Sequence, residues 1–130
     1  MRFVVPGHAV EFEIPDEWWD AAGMQDFAPK TEAYAAEEDP HEPSRPVPFS
    51  EILPPHRSAG TPMFKRDRMI QILEAIRAST RLPPISINGP VPGSEVPYAV
   101  RDGMHRYHAA AAAGFHSVPA LVWSYWVPEE

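Results

Sequence analysis

The 130-residue chain contains no cysteine. This absence excludes disulfide bonds, zinc sites built on thiolates and a catalytic thiol. Long apolar runs are also missing, and none approaches the roughly 20 residues that a membrane-spanning helix needs. Pro6 and Glu11 interrupt the start of the chain, where a signal peptide would require a continuous apolar segment. We therefore expect a cytoplasmic protein that is not inserted into a membrane.

Basic residues are scarce in the first third of the chain. Residues 1–45 hold eleven acidic against three basic residues, whereas residues 46–130 hold seven against eight. Proteins that bind DNA through its phosphates present a strongly basic face. This chain instead has a formal net charge of −7. We expect no sequence-specific DNA binding.

The most informative segment is residues 101–107, Arg-Asp-Gly-Met-His-Arg-Tyr, which is soon followed by five consecutive alanines and Gly114. Alanine has the highest helix propensity and glycine commonly follows a helix, so a helix is predicted over residues 103–113. The unpaired N–H groups of its first turn carry partial positive charge, and His105 and Arg106 project from that turn. This arrangement favours a bound anion, and phosphate is the usual one.

A purely structural interpretation of the same segment stays open. Asp102 can be the N-cap of the helix, Arg106 a solvated surface residue and His105 a residue at the edge. His105 and His108 have a spacing that can serve one metal ion, but no third ligand stands nearby, so we predict no metal site.

The rest of the chain predicts an α+β protein. Residues 66–79 form the main helix, because Met69, Ile72, Leu73 and Ile76 recur on one face at helical spacing. Strands are expected around that helix, at residues 47–52, 84–88, 97–100 and 120–126. Together these elements predict a small mixed sheet with helices packed on it.

The N-terminal segment, residues 1–45, is predicted to be an acidic extension of a domain that covers residues 46–130. It begins with a hairpin over residues 2–14 and continues as a short helix that ends at Gly23. Residues 35–48 contain four prolines and four acids, which favours a linker or an extended strap without regular structure.

Two tryptophan-bearing segments have alternative interpretations. Trp18 and Trp19 either form a docking surface for a partner protein, together with the acidic residues around them, or clamp the hairpin to the main domain. Trp123, Tyr125 and Trp126 stand at the end of the last predicted strand, where packing or homodimer formation is favoured over stacking on a nucleotide base.

Residues 47–122 resemble the ParB/sulfiredoxin superfamily, and the matching pieces stand in the expected order. They are the opening strand and, after it, residues 54–57 (Pro-Pro-His-Arg), 72–76 (Ile-Leu-Glu-Ala-Ile), 82–85 (Leu-Pro-Pro-Ile), 102–107 and 114–119. The resemblance implies a ParB-like fold with a nucleotide site at the start of the helix that follows Asp102.

The resemblance also implies which parts of that site are kept. In sulfiredoxins the box reads Gly-Cys-His-Arg, its His and Arg hold ATP phosphates, and its Cys is the redox catalyst. Gly103, His105 and Arg106 match, but Met104 replaces the cysteine, which excludes sulfinic-acid repair. In ParB partition proteins the box reads Gly-Glu-Arg-Arg and belongs to a site that hydrolyses CTP; Met104 then replaces the glutamate.

The resulting hypothesis is a small nucleotide-binding protein that takes ATP or CTP with Mg²⁺. Arg68 matches a sulfiredoxin lysine that assists ATP binding, and Arg57 and Arg101 are further candidates. The predicted phosphate-binding set is Gly103, Met104, His105, Arg106, Arg68 and Arg57. Asp102 is the predicted catalytic acid or base of an NTPase or phosphotransferase, with Glu51 and Glu74 as alternatives.

Two other functions compete with nucleotide binding. One is a non-catalytic regulatory or protein-interaction module that keeps a degenerate nucleotide pocket. The other is a ParB-like nuclease, which the weak basicity and the lack of a carboxylate cluster for two metal ions disfavour.

Overall fold

The computed structural model describes residues 1–55 and 64–124. Arg57, Tyr125 and Trp126, which the sequence interpretation singled out, lie outside these residues. The described part forms three α-helices and seven β-strands, in the order β1 (Arg2–Val4), β2 (Glu11–Glu13), α1 (Asp16–Ala21), β3 (Arg45–Pro48), β4 (Ile52–Leu53), α2 (Arg66–Ala78), β5 (Ile85–Asn88), β6 (Tyr98–Asp102), α3 (Met104–Ala113) and β7 (Ser117–Trp123).

The strands make two sheets. β1 and β2 form an antiparallel hairpin, and the other five form a mixed sheet in the order β3-β7-β5-β6-β4. Within this sheet β4 lies parallel to β6 and β5 parallel to β7, whereas β5–β6 and β3–β7 are antiparallel. The predicted α+β class is confirmed. Among the described residues, no helix combines the length and apolar character needed to cross a membrane.

The proline-rich strap differs from its prediction. Its last residues form β3, an edge strand in which Pro46 faces Pro119 and Pro48 faces Ser117 across β7. Proline removes a backbone donor, and an edge strand tolerates that loss because only one of its sides is hydrogen-bonded. The opening strand predicted at residues 47–52 is also interrupted, by a turn of 3-10 helix at Phe49–Glu51.

The two longer helices follow their predictions closely. The apolar stripe of α2 is buried, at Met69, Ile72, Leu73 and Ile76. Helix α3 starts one residue after its predicted start and ends at Ala113. Gly114 follows it with a φ of 98°, in the left-handed region that glycine adopts without strain. Both helices therefore arise from signals that lie within the helices themselves.

The N-terminal segment packs on the main domain. Trp19 is only 8% exposed and its ring lies 5.0 Å from that of Phe3, while Phe12 lies 4.9 Å from the ring of His108 on α3. Trp19 and Phe12 belong to the same core cluster as the stripe of α2, and Phe3 packs against that cluster. Trp19 is therefore a core residue, which agrees with the interpretation that it clamps the hairpin to the main domain rather than forming an exposed docking surface. Trp18 is half-buried against that core.

Candidate functional site

The predicted site lies where β6 passes into α3. Gly103 joins the two elements with a φ of 105° and is the N-cap residue of the helix, which has no side-chain cap. A Cβ on Gly103 would lie 2.8 Å from Cγ2 of Ile85 and 3.1 Å from Nη2 of Arg106. Glycine is thus required both for the backbone conformation and for the close approach of β5.

The first turn of α3 contains amides that make no hydrogen bond within the helix. The Tyr107 amide donates to the Gly103 carbonyl at 2.8 Å, and the preceding amides of Met104, His105 and Arg106 have no acceptor within the helix. Asp102 is the exposed last residue of β6 and does not cap the helix, so the N-cap interpretation of Asp102 is wrong.

Arg106 is a buried anchor, and its interpretation as a solvated surface residue is wrong. Arg106 is only 9% exposed. Nη1 donates to the carbonyl oxygens of Pro83 at 3.0 Å and Pro84 at 2.9 Å. These bonds tie the first turn of α3 to the segment that enters β5, and they fix the orientation of the guanidinium.

The Pro83 carbonyl accepts a second hydrogen bond. The Tyr34 hydroxyl donates to it at 2.7 Å, so Tyr34 and Arg106 share one acceptor. Burial raises the pKa of the Tyr34 phenol, and the positive charge of Arg106 opposes part of that rise. The hydroxyl remains protonated and able to donate.

Next to this junction lies a cleft of about 830 Å³, hereafter the main cleft. It brings together three of the predicted site residues, Arg68 from α2, Asp102 from β6 and Arg106 from α3. Arg68 is exposed and makes no hydrogen bond or ion pair with any residue that the structure describes. The other lining residues are Glu37, Glu38, Asp39, Pro40, Glu42, Gln71, Ile72, Leu82, Pro83, Pro84 and Leu121.

Carboxylates outnumber cations around the main cleft. Four of them come from the strap, between residues 37 and 42, and the fifth is Asp102, against the two arginines. Glu38 is engaged by Arg81, whose Nη1 lies 3.4 Å from Oε2. No three His, Cys, Asp or Glu side chains within residues 1–55 and 64–124 are grouped to hold a metal ion.

His105 is not part of the main cleft. Its Nε2 accepts a hydrogen bond from the amide of Lys65, at 2.9 Å, and its ring lies 5.6 Å from that of Phe64. A nitrogen that accepts this bond cannot at the same time donate to a phosphate, so the predicted donation is wrong for Nε2. His105 instead connects α3 to the residue that precedes α2.

Other sequence candidates also lie apart from the main cleft. Met104 is half-buried against the core, and Arg101 stacks on Trp123 with Cζ 4.5 Å from the ring centroid. Glu51 belongs to the 3-10 turn and Glu74 to α2, and neither lines the cleft.

Sequence reasoning missed the acidic wall of the main cleft. The strap reaches the cleft because Glu37 donates its amide to the Leu82 carbonyl at 2.9 Å, and Leu82 donates its amide to Ala35 at 3.0 Å. A bridge of this kind joins residues more than forty positions apart and leaves no local signal in the sequence. Only the excess of acids in the strap pointed to a role beyond that of a linker.

Tyr107 carries an unusual hydroxyl. The residue is fully buried, and the hydroxyl has no hydrogen-bond partner within the described part of the chain. Burial raises the pKa of the phenol. A buried donor without a partner costs about 1–3 kcal/mol.

We therefore expect Tyr107→Phe to raise the free energy of unfolding by about 1 kcal/mol, because phenylalanine keeps the ring and removes the unpaired hydroxyl. Urea denaturation measures the change. The matched control is Tyr34→Phe, which loses the bond to Pro83 and should lower the free energy of unfolding by about 1 kcal/mol. A loss of stability in Tyr107→Phe as large as in the control would show that the Tyr107 hydroxyl does have a hydrogen-bond partner.

Comparison of the chain with protein-family models, with curated proteins and with solved structures finds no match.

Proposed function

We propose that the main cleft binds a nucleotide, ATP or CTP, as its Mg²⁺ complex. The observation that carries the proposal is the convergence of Arg68, Asp102 and Arg106 on one cleft. These residues come from three different elements, and the sequence had indicated Arg68 and Arg106 as phosphate-binding residues and Asp102 as the catalytic acid or base. The cleft volume of about 830 Å³ also falls in the range typical of small-molecule sites.

Two features of the main cleft suit phosphates. Arg68 offers a guanidinium that no described residue engages, and it can bind phosphate oxygens in a bidentate manner. Arg106 holds a fixed positive charge at the first turn of α3, where the helix dipole also favours anions. We place the phosphates between Arg68 and this turn.

The carboxylate excess explains why the ligand is proposed as a magnesium complex. A bare triphosphate would be repelled by the acids of the strap, whereas bound Mg²⁺ reduces its charge. Mg²⁺ prefers oxygen ligands and commonly takes one or two carboxylates together with substrate phosphates. Asp102 borders both the cleft and the α3 turn, so we assign it to this ion or to proton transfer in an NTPase or phosphotransferase.

The resemblance to the ParB/sulfiredoxin superfamily supports the same proposal. Gly103, Arg106 and Arg68 match the phosphate-holding parts of the family, and Met104 departs from its catalytic part. We include in the proposal a cytoplasmic location, where nucleotides are abundant.

The proposal predicts a specific effect of Arg68→Ala. The variant should weaken binding of the Mg²⁺–nucleotide by about tenfold or more, because a charged phosphate contact contributes about 1.5–3 kcal/mol. Its unliganded stability should change by less than about 0.5 kcal/mol, since the side chain is exposed. Thermal melting with ATP, CTP and GTP, each with Mg²⁺ or with EDTA, gives both quantities.

Arg66→Ala is the matched control. Arg66 lies on the same helix and is exposed, but it pairs with Asp67 at 2.9 Å and does not line the main cleft. Nucleotide at about 100 times its dissociation constant should stabilise the wild type and this control alike by about 2.7 kcal/mol. Equal nucleotide affinity in Arg66→Ala and Arg68→Ala would show that the phosphates do not contact Arg68.

A second function is favoured by the exposed strap carboxylates, which face the main cleft and suit a basic segment of a partner protein. In this proposal the cleft is a protein-interaction site, and a second copy of the chain is one possible occupant. The melting experiment separates the two functions, because an interaction module shows no stabilisation by any nucleotide.

A further inference from the structure

A second pocket lies at the opposite end of α2 from the main cleft. It has a volume of about 680 Å³ and shares no lining residue with the main cleft. One wall is the segment between α1 and the strap, and the other is the last turn of α2. Nothing in the proposed nucleotide function uses this pocket.

The floor of the second pocket is apolar and aromatic. The rings of Phe27 and Phe115 meet edge to face, with centroids 6.0 Å apart and planes inclined by 61°. Ile76 is buried behind them, and so is Tyr34, whose hydroxyl is already engaged by Pro83. A surface of this kind binds the flat or branched apolar body of a small molecule.

Two cations stand on the rim of the second pocket. Arg77 donates from Nε to the Ala22 carbonyl at 3.2 Å, and its side chain packs so closely on Gly23 that an added Cβ would lie 3.0 Å from Nε. This contact holds the guanidinium in place and leaves its Nη groups without a partner among the described residues. Lys30 is exposed and likewise unpaired within the described part.

The charge of the second pocket is therefore opposite to that of the main cleft. Its only acidic lining residue is Asp26, against Lys30 and Arg77. At the carbonyl end of α2, the Ile76 carbonyl accepts the amide of Ser79 and the Ala75 carbonyl accepts that of Thr80, so both carbonyls are satisfied. A net positive rim is notable in a protein whose net charge is −7.

We propose that the second pocket binds a small organic carboxylate with an aromatic or branched aliphatic body. The carboxylate pairs with Arg77 and Lys30, and the apolar body lies on Phe27 and Phe115. The fixed guanidinium supplies the geometry for a bidentate pair, and the rings supply the apolar area.

The test uses 3-phenylpropionate as the probe and its neutral analogue, 3-phenylpropanamide, in titrations of ¹⁵N-labelled protein. The acid should shift the amide signals of Gly23, Phe27 and Ser79, and the analogue should bind about tenfold more weakly because it loses the charged pair. Lys30→Gln and Arg77→Gln should each weaken binding of the acid, with Arg66→Gln as the unchanged control. Lys30→Gln removes no hydrogen bond within the described residues, so this variant should keep the fold. It therefore tests the proposal even if Arg77→Gln unfolds.

Three results would overturn the proposal. They are equal binding of the acid and its amide, unchanged binding in Lys30→Gln, and an absence of shifts at the lining residues. Because Arg68 lies outside this pocket, Arg68→Ala should bind 3-phenylpropionate normally, so failure here is distinguishable from failure of the nucleotide proposal.

Discussion

Gly103→Ala is expected to lower the free energy of unfolding by about 3 kcal/mol. Left-handed backbone costs an ordinary residue about 1–2 kcal/mol, and the new methyl group adds an overpacking cost of about 1–3 kcal/mol. That methyl group would lie 2.8 Å from Cγ2 of Ile85, a residue that is fully buried and cannot move aside. Urea denaturation at constant slope gives the difference.

Gly93→Ala separates the two costs. Its φ of 79° is also left-handed, but nothing lies within 4 Å of an added Cβ. It should therefore lose only about 1 kcal/mol, the cost of the backbone conformation. Equal losses of stability in Gly103→Ala and Gly93→Ala would mean that Gly103 is not packed closely against Ile85 of β5.

Arg106→Met is expected to lower the free energy of unfolding by about 2–4 kcal/mol. The methionine roughly fills the space of the buried side chain but leaves the carbonyl of Pro84 without the donor at 2.9 Å, and that of Pro83 with Tyr34 alone. Hydrogen bonds from a charged donor contribute about 1.5–3 kcal/mol each. Thermal and urea denaturation should agree on the loss.

Arg81→Met provides the comparison. Arg81 also donates to a backbone carbonyl, that of Ala36 at 3.0 Å, but its side chain is 63% exposed. The loss there should stay below about 1 kcal/mol. A similarly small loss in Arg106→Met would contradict the structural role of the two hydrogen bonds from Arg106. If the loss of stability is large, weaker nucleotide binding by this variant would not by itself prove a phosphate contact. Arg68 is the better probe for that reason.

The helices could be predicted from the sequence because their signals are local. The apolar stripe of α2 and the alanine run of α3 both lie inside the elements that they define. The hairpin of β1 and β2 was predicted on the same basis, from two short alternating segments around a turn. In each case neighbouring residues carry the information.

The features that the sequence did not indicate depend on distant residues. β3 forms because β7 offers it an edge, although two of its four residues are prolines. His105 was assigned to a phosphate, but its Nε2 meets the amide of Lys65, forty positions earlier in the chain. The charge of Arg106 could be recognised from its motif. The two carbonyls that accept its hydrogen bonds, those of Pro83 and Pro84, could not be predicted because they belong to another segment.

The main cleft itself was predicted in part. Its arginines and Asp102 were indicated by the motif and by the family resemblance, and the structure brings them together. The acidic side of the cleft comes from residues 35–48, which were interpreted as a linker or an extended strap. This side supplies carboxylates that suit the magnesium ion already expected with the nucleotide.

The most direct test of nucleotide binding in the main cleft is a titration of ¹⁵N-labelled protein with Mg²⁺–ATP and Mg²⁺–CTP, followed by amide chemical shifts. We expect one nucleotide to shift the signals of Arg68, Gln71 and the first turn of α3, and to leave those of the second pocket unchanged. An absence of shifts with every nucleotide, or shifts confined to residues away from the main cleft, would contradict the proposed function and favour the protein-interaction site.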